Sequence, residues 1–128
     1  MALHITGLPR TIISISDHDA AIEFYAGKLG FEVTSDEAFA GDQRWVEVAP
    51  AGTEHAIALA KPPEGAPVGG AMTGVTIETS DIDADHATLR DLGVDVDDAV
   101  MRHGGFVPPM FWFRDQDSNI LLMVERQD

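Results

Sequence analysis

Three charged side chains fall inside alternating apolar stretches: Arg10 just ahead of TIISI, Glu47 in QRWVEVA and Glu78 in VTIET. A carboxylate so placed can move a proton or hold a cation, and a guanidinium can take a carboxylate, phosphate or enolate by a forked pair of hydrogen bonds. Burying an unpaired guanidinium is costly, so Arg10 either pairs with Glu47 or Glu78 or is reserved for an anionic group of a ligand. Trp45 and Trp112 are either core residues or flat platforms for a planar or cationic molecule. With no cysteine in the chain, thiolate metal sites, disulfides and a cysteine nucleophile are excluded. The borderline metal donors left are five histidines: His4, His18, His55, His86 and His103. Ser14 has no histidine whose proximity can be argued, so no Ser-His-acid set emerges. Gly104-Gly105-Phe106 is followed by Pro108-Pro109 rather than Lys-Ser/Thr, and reads as a loop tip at a pocket mouth, not a phosphate loop.

These residues have to be positioned by some framework, and an internal repeat supplies it. Residues 11–33 (TIISISDHDAAIEFYAGKLGFEV) and 75–96 (VTIETSDIDADHATLRDLGVDV) are two copies of one unit: an alternating apolar run, an Asp-rich break, a helical stretch, Leu-Gly, then an extended segment. In the first copy Asp17 offers an N-cap oxygen, Ile22, Tyr25, Ala26 and Leu29 recur at helical spacing, and Gly30 supplies the left-handed stop. In the second, Asp81 or Asp83 caps, Leu89 and Leu92 lie on the helix, and Gly93 ends it. Strands at 43–49 and 55–60 flank a Pro-Ala-Gly-Thr turn, and strands at 107–114 and 119–125 flank Asp115-Gln116-Asp117-Ser118. Each half is therefore β-α-β-β-β. The reading is one α+β domain over 1–128: module one at about 8–61, a Pro- and Gly-rich linker at 62–71 and module two at 72–126. Neither half buries enough surface to fold alone.

Strand parity then assigns faces. Ile13, Ile15, Val46, Val48, Ile57, Leu59, Val75, Ile77, Phe111, Phe113, Leu121 and Met123 should pack under the helices. The opposite parity lines the other face with Arg10 and Ser14, Trp45 and Glu47, Ala58, Thr76 and Glu78, Met110 and Trp112, and Leu122. Two tryptophans, several charges and a set of small residues suit a concavity of ligand size. His18 and His86 fall on the expected helices and read as solvated surface, His4 as a free end, His55 as a rim residue, and His103 as a loop residue near the cavity mouth.

Composition narrows the partners. The 128 residues include 8 Lys+Arg against 22 Asp+Glu, a formal net charge of −14. Nucleic-acid affinity needs a basic face to displace counterions, which this chain lacks. A charge of this sign attracts cationic ligands, although general solubility accounts for it as well. No apolar run approaches the roughly 20 residues of a membrane span, and the N-terminus carries no signal-like pattern, so a cytoplasmic protein is expected.

Ser16-Asp17 followed by Ile22-Glu23-Phe24-Tyr25 and Leu29-Gly30-Phe31-Glu32-Val33 resembles the first module of the vicinal-oxygen-chelate superfamily, which contains glyoxalase I, fosfomycin-resistance enzymes, extradiol dioxygenases and bleomycin-resistance proteins. Phe113-Arg114-Asp115-Gln116-Asp117-Ser118-Asn119 is similar to its closing turn, usually F-x-D-P-D-G-N. The resemblance spans about Pro9 to Glu125 and implies two βαβββ modules forming a curved mixed sheet around a cavity, in a homodimer. In its metal-dependent members a His stands seven residues before the Asp that ends the first strand. That position is Arg10 here, and its counterpart in module two is Gly74. The ligand positions on the last strand of each module fall on Ala58, or Ala56 if the alignment slips by two, and on Leu122. Arginine has no lone pair to offer and the others have no ligand atom, so no metal or other cofactor is expected.

Two function classes follow from the resemblance. The first is a metal-free protein of the bleomycin-resistance type that binds or sequesters a small, partly aromatic molecule, cationic if the net charge is a guide. The second is an enzyme of the same superfamily, a glyoxalase-like lyase or isomerase or a dioxygenase. That enzyme would be metal-dependent or would use Arg10 as electrostatic stabiliser with Glu47, Glu78 or His103 as base.

Overall fold

The computed structural model describes residues 2–127. Module one runs β1 (Arg10–Ser14), α1 (His18–Ile22), a widened helical turn (Glu23–Lys28), β2 (Glu32–Ala40), β3 (Gln43–Ala49) and β4 (Ala56–Ala60). Module two runs β5 (Met72–Thr79), α2 (Ile82–Asp91), β6 (Asp95–Val96), β7 (Met110–Arg114) and β8 (Ile120–Glu125). Each module forms a four-stranded mixed sheet, ordered β1-β4-β3-β2 and β5-β8-β7-β6. The first and last strands of each module pair in parallel, with antiparallel pairs outside them. This is the doubled βαβββ architecture.

The inner faces of both sheets and the helices share one core. Ile13, Ile15, Val46, Val48, Ile57, Leu59, Phe111, Phe113, Leu121 and Met123 are buried there, as alternation requires. Val75 and Ile77 are only half-buried. They lie on β5, the edge strand of its sheet, and no neighbouring strand covers that side.

Asp17 caps α1 by accepting from the Asp19 amide at 3.0 Å. Of the two candidates for α2, Asp81 is the cap, accepting from the Ala84 amide at 3.1 Å. The first helix departs from expectation inside its span. After five α-helical residues it widens, and the Leu29 amide donates to Phe24 O, five residues back, at 3.0 Å. The extra residue in this turn rotates the following side chains. Ala21, Phe24 and Tyr25 are buried, whereas Ile22, Ala26 and Leu29, expected inward, are half-buried. Strand β7 begins at Met110 instead of 107, because Pro108 and Pro109 have no amide hydrogen for a ladder. Met101 and Met110 bridge instead, closing the base of the 102–109 loop.

The modules are fastened by a clasp on the turn between β7 and β8. The Tyr25 hydroxyl donates to Asp115 Oδ2 at 2.7 Å, and the Asn119 amide nitrogen donates to Ser14 O at 3.0 Å and to Asp115 Oδ2 at 3.1 Å. Ser16 donates to Asp117 through its backbone amide at 3.0 Å and its hydroxyl at 2.6 Å. Burial and then the Asp115 charge push the Tyr25 hydroxyl up, which keeps it a donor. Burial alone would raise Asp117, but hydrogen bonds from Ser16 and Gln116 outweigh it and hold the carboxyl below its ordinary value. The Phe24 and Phe113 rings stack across the modules with centroids 6.5 Å apart.

Two histidines correct the expectation of a solvated surface. His86 is half-buried, donating from Nε2 to Asp97 O at 2.6 Å and standing edge-on to the Phe111 ring. His18 is 4% exposed, and its Nε2 has no hydrogen-bond partner among the described residues. Burial, then the cations of Arg44 and Lys61, lower the His18 pKa below 6.5, against a smaller opposing pull from Asp36 and Asp17. A depressed imidazole costs stability only where the unfolded chain takes up the proton and the folded chain resists it. Stability should therefore be constant above about pH 6.5 and fall as pH drops from there toward 5. The depressed carboxylates, with ordinary values of 3.8, titrate below that window. Urea unfolding at pH 7.5, 6.5 and 5.5 should show the fall in the natural chain and a flatter profile in His18→Leu; identical profiles would contradict the assignment.

Candidate ligand site

The outward face of the first sheet carries a closed set of polar and aromatic side chains. Arg10 on β1 stands level with Ala56 on β4, and Glu47 on β3 stands level with Ala58. From β1 to β3 is two strand spacings, about 10 Å, and the methyl-sized side chains of Ala56 and Ala58 let the long Arg10 side chain cross between. Arg10 Nε reaches Glu47 Oε2 at 3.3 Å. The Trp45 indole nitrogen donates to the same oxygen at 2.5 Å, and the guanidinium carbon lies 5.7 Å from the Trp45 ring centroid. Of the two partners open to Arg10 from sequence, it takes Glu47. Glu78 lies on the other sheet. Trp45 is 38% exposed, hence not a core residue, and Ile12, on the same face of β1, is 61% exposed.

The remaining candidates lie on the outward face of the second sheet. Trp112 on β7 and Thr76 on β5 both pair with Leu122 on β8, and Met110 pairs with Val124. Thr76 and Glu78 are exposed, and Met110, Trp112 and Leu122 are half-buried. Arg114, on the same face, is occupied: its terminal nitrogens bond Asp95 and Asp97 at 2.9 Å each, and those bonds raise its pKa. Ser14 is half-buried, with its carbonyl taken by Asn119. His103 is exposed on the 102–109 loop, three residues before Phe106, which is 94% exposed. Within the chain, then, Arg10, Trp45, Glu47 and Ala58 are brought together, while Thr76, Glu78, Met110, Trp112 and Leu122 form a separate group on the second sheet.

Sequence reasoning missed the seam between the modules. A cleft of about 310 Å³ there is lined by Lys28, Phe31, Leu89 and Met123 among others, and one of about 430 Å³ by Phe31, Pro50, Ile57 and Val75. Glu78 lines both and Thr76 the second. Alternation names the face on which a residue lies, but not how two modules meet edge to edge.

The metal expected of metal-dependent relatives can be tested against the donors present. Arg10 and Ala58 stand on one face and Gly74 and Leu122 on the other, and none offers a lone pair from its side chain at neutral pH. Among the described residues no three His, Asp or Glu side chains gather into a metal-binding group. The residues do not fit a divalent ion at these positions. Among the described residues no helix is long and apolar enough to cross a membrane.

Two βαβββ modules, each with a helix against one sheet face and the other face left open, define a protein of the vicinal-oxygen-chelate class. Residues 4–122 match the sequence profile of the Glyoxalase/Bleomycin resistance protein/Dioxygenase superfamily, and the chain belongs to that superfamily. A member of the superfamily from Sphaerobacter thermophilus DSM 20745 superposes with a TM-score of 0.87 at 31% identity, covering 97% of this chain and 100% of the other. TnmS3, an antibiotic binding protein from Streptomyces sp. CB03234, superposes with a TM-score of 0.82 at 27% identity, covering 98% and 100%. The protein YetH of Bacillus subtilis (strain 168) is 26% identical over 117 residues, covering 88% of this chain and 92% of its own.

Proposed function

We propose that this chain is a metal-free small-molecule-binding protein that binds or sequesters a partly aromatic ligand. The observation that carries the reading is the Arg10-Trp45-Glu47 set, a protein cation and an indole held together where relatives would need coordinating atoms. Likeness to an antibiotic binding protein across the whole chain supports the same class of activity. The two outward faces expose Ile12, Trp45 and Met72, and a homodimer would cover them and enclose the ligand.

Trp45→Ala and Trp112→Ala should each weaken binding of a ligand found by thermal-shift screening by about tenfold or more, since a stacked aromatic contact is worth roughly 1–3 kcal/mol. The screen spans cationic glycopeptides, aromatic antibiotics, thiol-conjugated aldehydes and catechols. Circular dichroism should report a folded chain for both variants; loss of fold in both would make the rings structural. Protein purified without a metal-affinity tag should carry well under one equivalent of zinc, nickel, manganese or iron. Stoichiometric, chelatable metal accompanied by glyoxalase-type or ring-cleaving activity would favour the enzyme instead.

A further inference from the structure

We propose that Arg10 forms an oxyanion subsite and that the ligand of this face is an aromatic molecule bearing a carboxylate, with its ring against Trp45; this rests on the ligand-binding reading above. A guanidinium carries five N–H donors in a planar fork. Glu47 stands against Arg10 on the Nε side, at 3.3 Å, and the terminal nitrogens Nη1 and Nη2 make no hydrogen bond among the described residues. The edge that remains is the one a carboxylate grips with two parallel hydrogen bonds. Glu47 and Trp45 hold the group in place without consuming that edge, so little side-chain freedom is left to lose when an anion arrives. The arrangement is a positioned clamp: Glu47 Oε2 accepts the indole N–H and stands in an ion pair 3.3 Å from Arg10 Nε, and the indole ring lies beneath the guanidinium.

The charge of the whole chain points the other way, toward cations, but distance decides between them. Exposed charges farther than about 8 Å are largely screened at physiological ionic strength. The charged groups on this face are Arg10, Glu47 and, on β2, Glu37 and Glu32, which pair with Trp45 and Ala49 and so lie beyond β3 on the edge strand farthest from β1. A cation approaching either oxygen of Glu47 meets the positive charge of Arg10, which stands 3.3 Å from Oε2. A carboxylate approaching the free edge of Arg10 displaces nothing.

The test uses the full chain in 150 mM salt and three probes of one shape: 2-naphthoate, neutral 2-naphthamide and cationic 2-naphthylmethylammonium. Binding is followed through the Trp45 indole N–H resonance, assigned with Trp112→Phe. Naphthoate is expected to bind at least about tenfold more tightly than either other probe. Arg10→Gln should abolish that preference, so that naphthoate binds no more tightly than naphthamide to the variant. Arg10→Lys, which keeps the charge and loses the fork, should reduce the preference several-fold and serves if the glutamine variant does not fold. Equal binding of all three probes, tighter binding of the ammonium, or a preference that survives Arg10→Gln would overturn the oxyanion subsite while leaving a Trp-lined binding face intact. If no probe moves the Trp45 signal, both the subsite and the binding face on this sheet are overturned.

Discussion

Asp115→Ala is expected to lower stability by about 4 kcal/mol, a large share of the roughly 5–15 kcal/mol that separates a folded domain from its unfolded chain. The Asp115 carboxylate accepts from the Tyr25 hydroxyl, the Asn119 side chain and the backbone amides of Asp117 and Asn119. Asp115, Tyr25 and Asn119 are all buried, so the donors left behind cannot turn to water. Each stranded donor costs on the order of 1–3 kcal/mol, and bonds to a charged acceptor lie at the upper end. In a domain of this size the melting temperature should fall by about 10–15 °C. Tyr25→Phe alone should cost roughly 1–2 kcal/mol. The double variant Tyr25→Phe/Asp115→Ala should lose clearly less than the two single losses combined, because one stranded donor has been removed with its acceptor. Urea unfolding of the four proteins measures this directly. A loss under 1 kcal/mol for Asp115→Ala, or strict additivity, would mean that the clasp does not hold the modules.

Gly69→Ala should be the next most damaging change, at about 3 kcal/mol. Gly69 has φ +88°, a region in which an L side chain costs roughly 1–2 kcal/mol. A Cβ there would also stand 2.5 Å from the carbonyl oxygen of Asp117, a backbone atom with no freedom to turn aside. The same oxygen accepts from the Gly70 amide at 3.0 Å, so relief of the overlap pulls on the linker and the clasp turn together. Displacement of this kind adds roughly 1–3 kcal/mol. Gly104→Ala is the matched control: its φ is +76° but nothing lies within 4 Å of the added methyl, so only the conformational cost of about 1 kcal/mol remains. Denaturant midpoints that move equally in the two variants would show that the contact with Asp117 is not tight.

Much of this was legible in the sequence because alternation is a local signal. The inward set from Ile13 to Met123 and the outward placement of Arg10, Trp45 and Glu47 follow from a period of two, and the caps at Asp17 and Asp81 from side-chain oxygens ahead of a helix. The illegible parts depend on distance along the chain or on backbone detail without a compositional mark. The widened turn at Glu23–Lys28 contains the weak helix former Gly27, but one glycine does not specify a wide turn, so a uniform helical period misjudged Ile22, Ala26 and Leu29. His18 is a polar residue in a first helical turn, and its burial depends on long-range packing of the module. The choice of Glu47 over Glu78 for Arg10 required the sheet order, which sets β3 two strands from β1 and puts β5 in another sheet. Asp115 and Asn119 read as turn residues. Their partners Tyr25 and Ser14 lie 90 and 105 positions away.

The clasp also bears on how the repeat can be divided. Its acceptors sit almost wholly on the second half and its buried phenol on the first, and the Pro-Ala-Gly-Thr hairpin of the first half has no counterpart to Asp115. Cutting the chain in its linker would leave one fragment with a hydroxyl lacking its acceptor and another with a carboxylate lacking its donor. The duplicated halves have become complementary parts of a single cooperative unit, so a gene encoding either one alone would specify a fragment that needs the other to complete its interior.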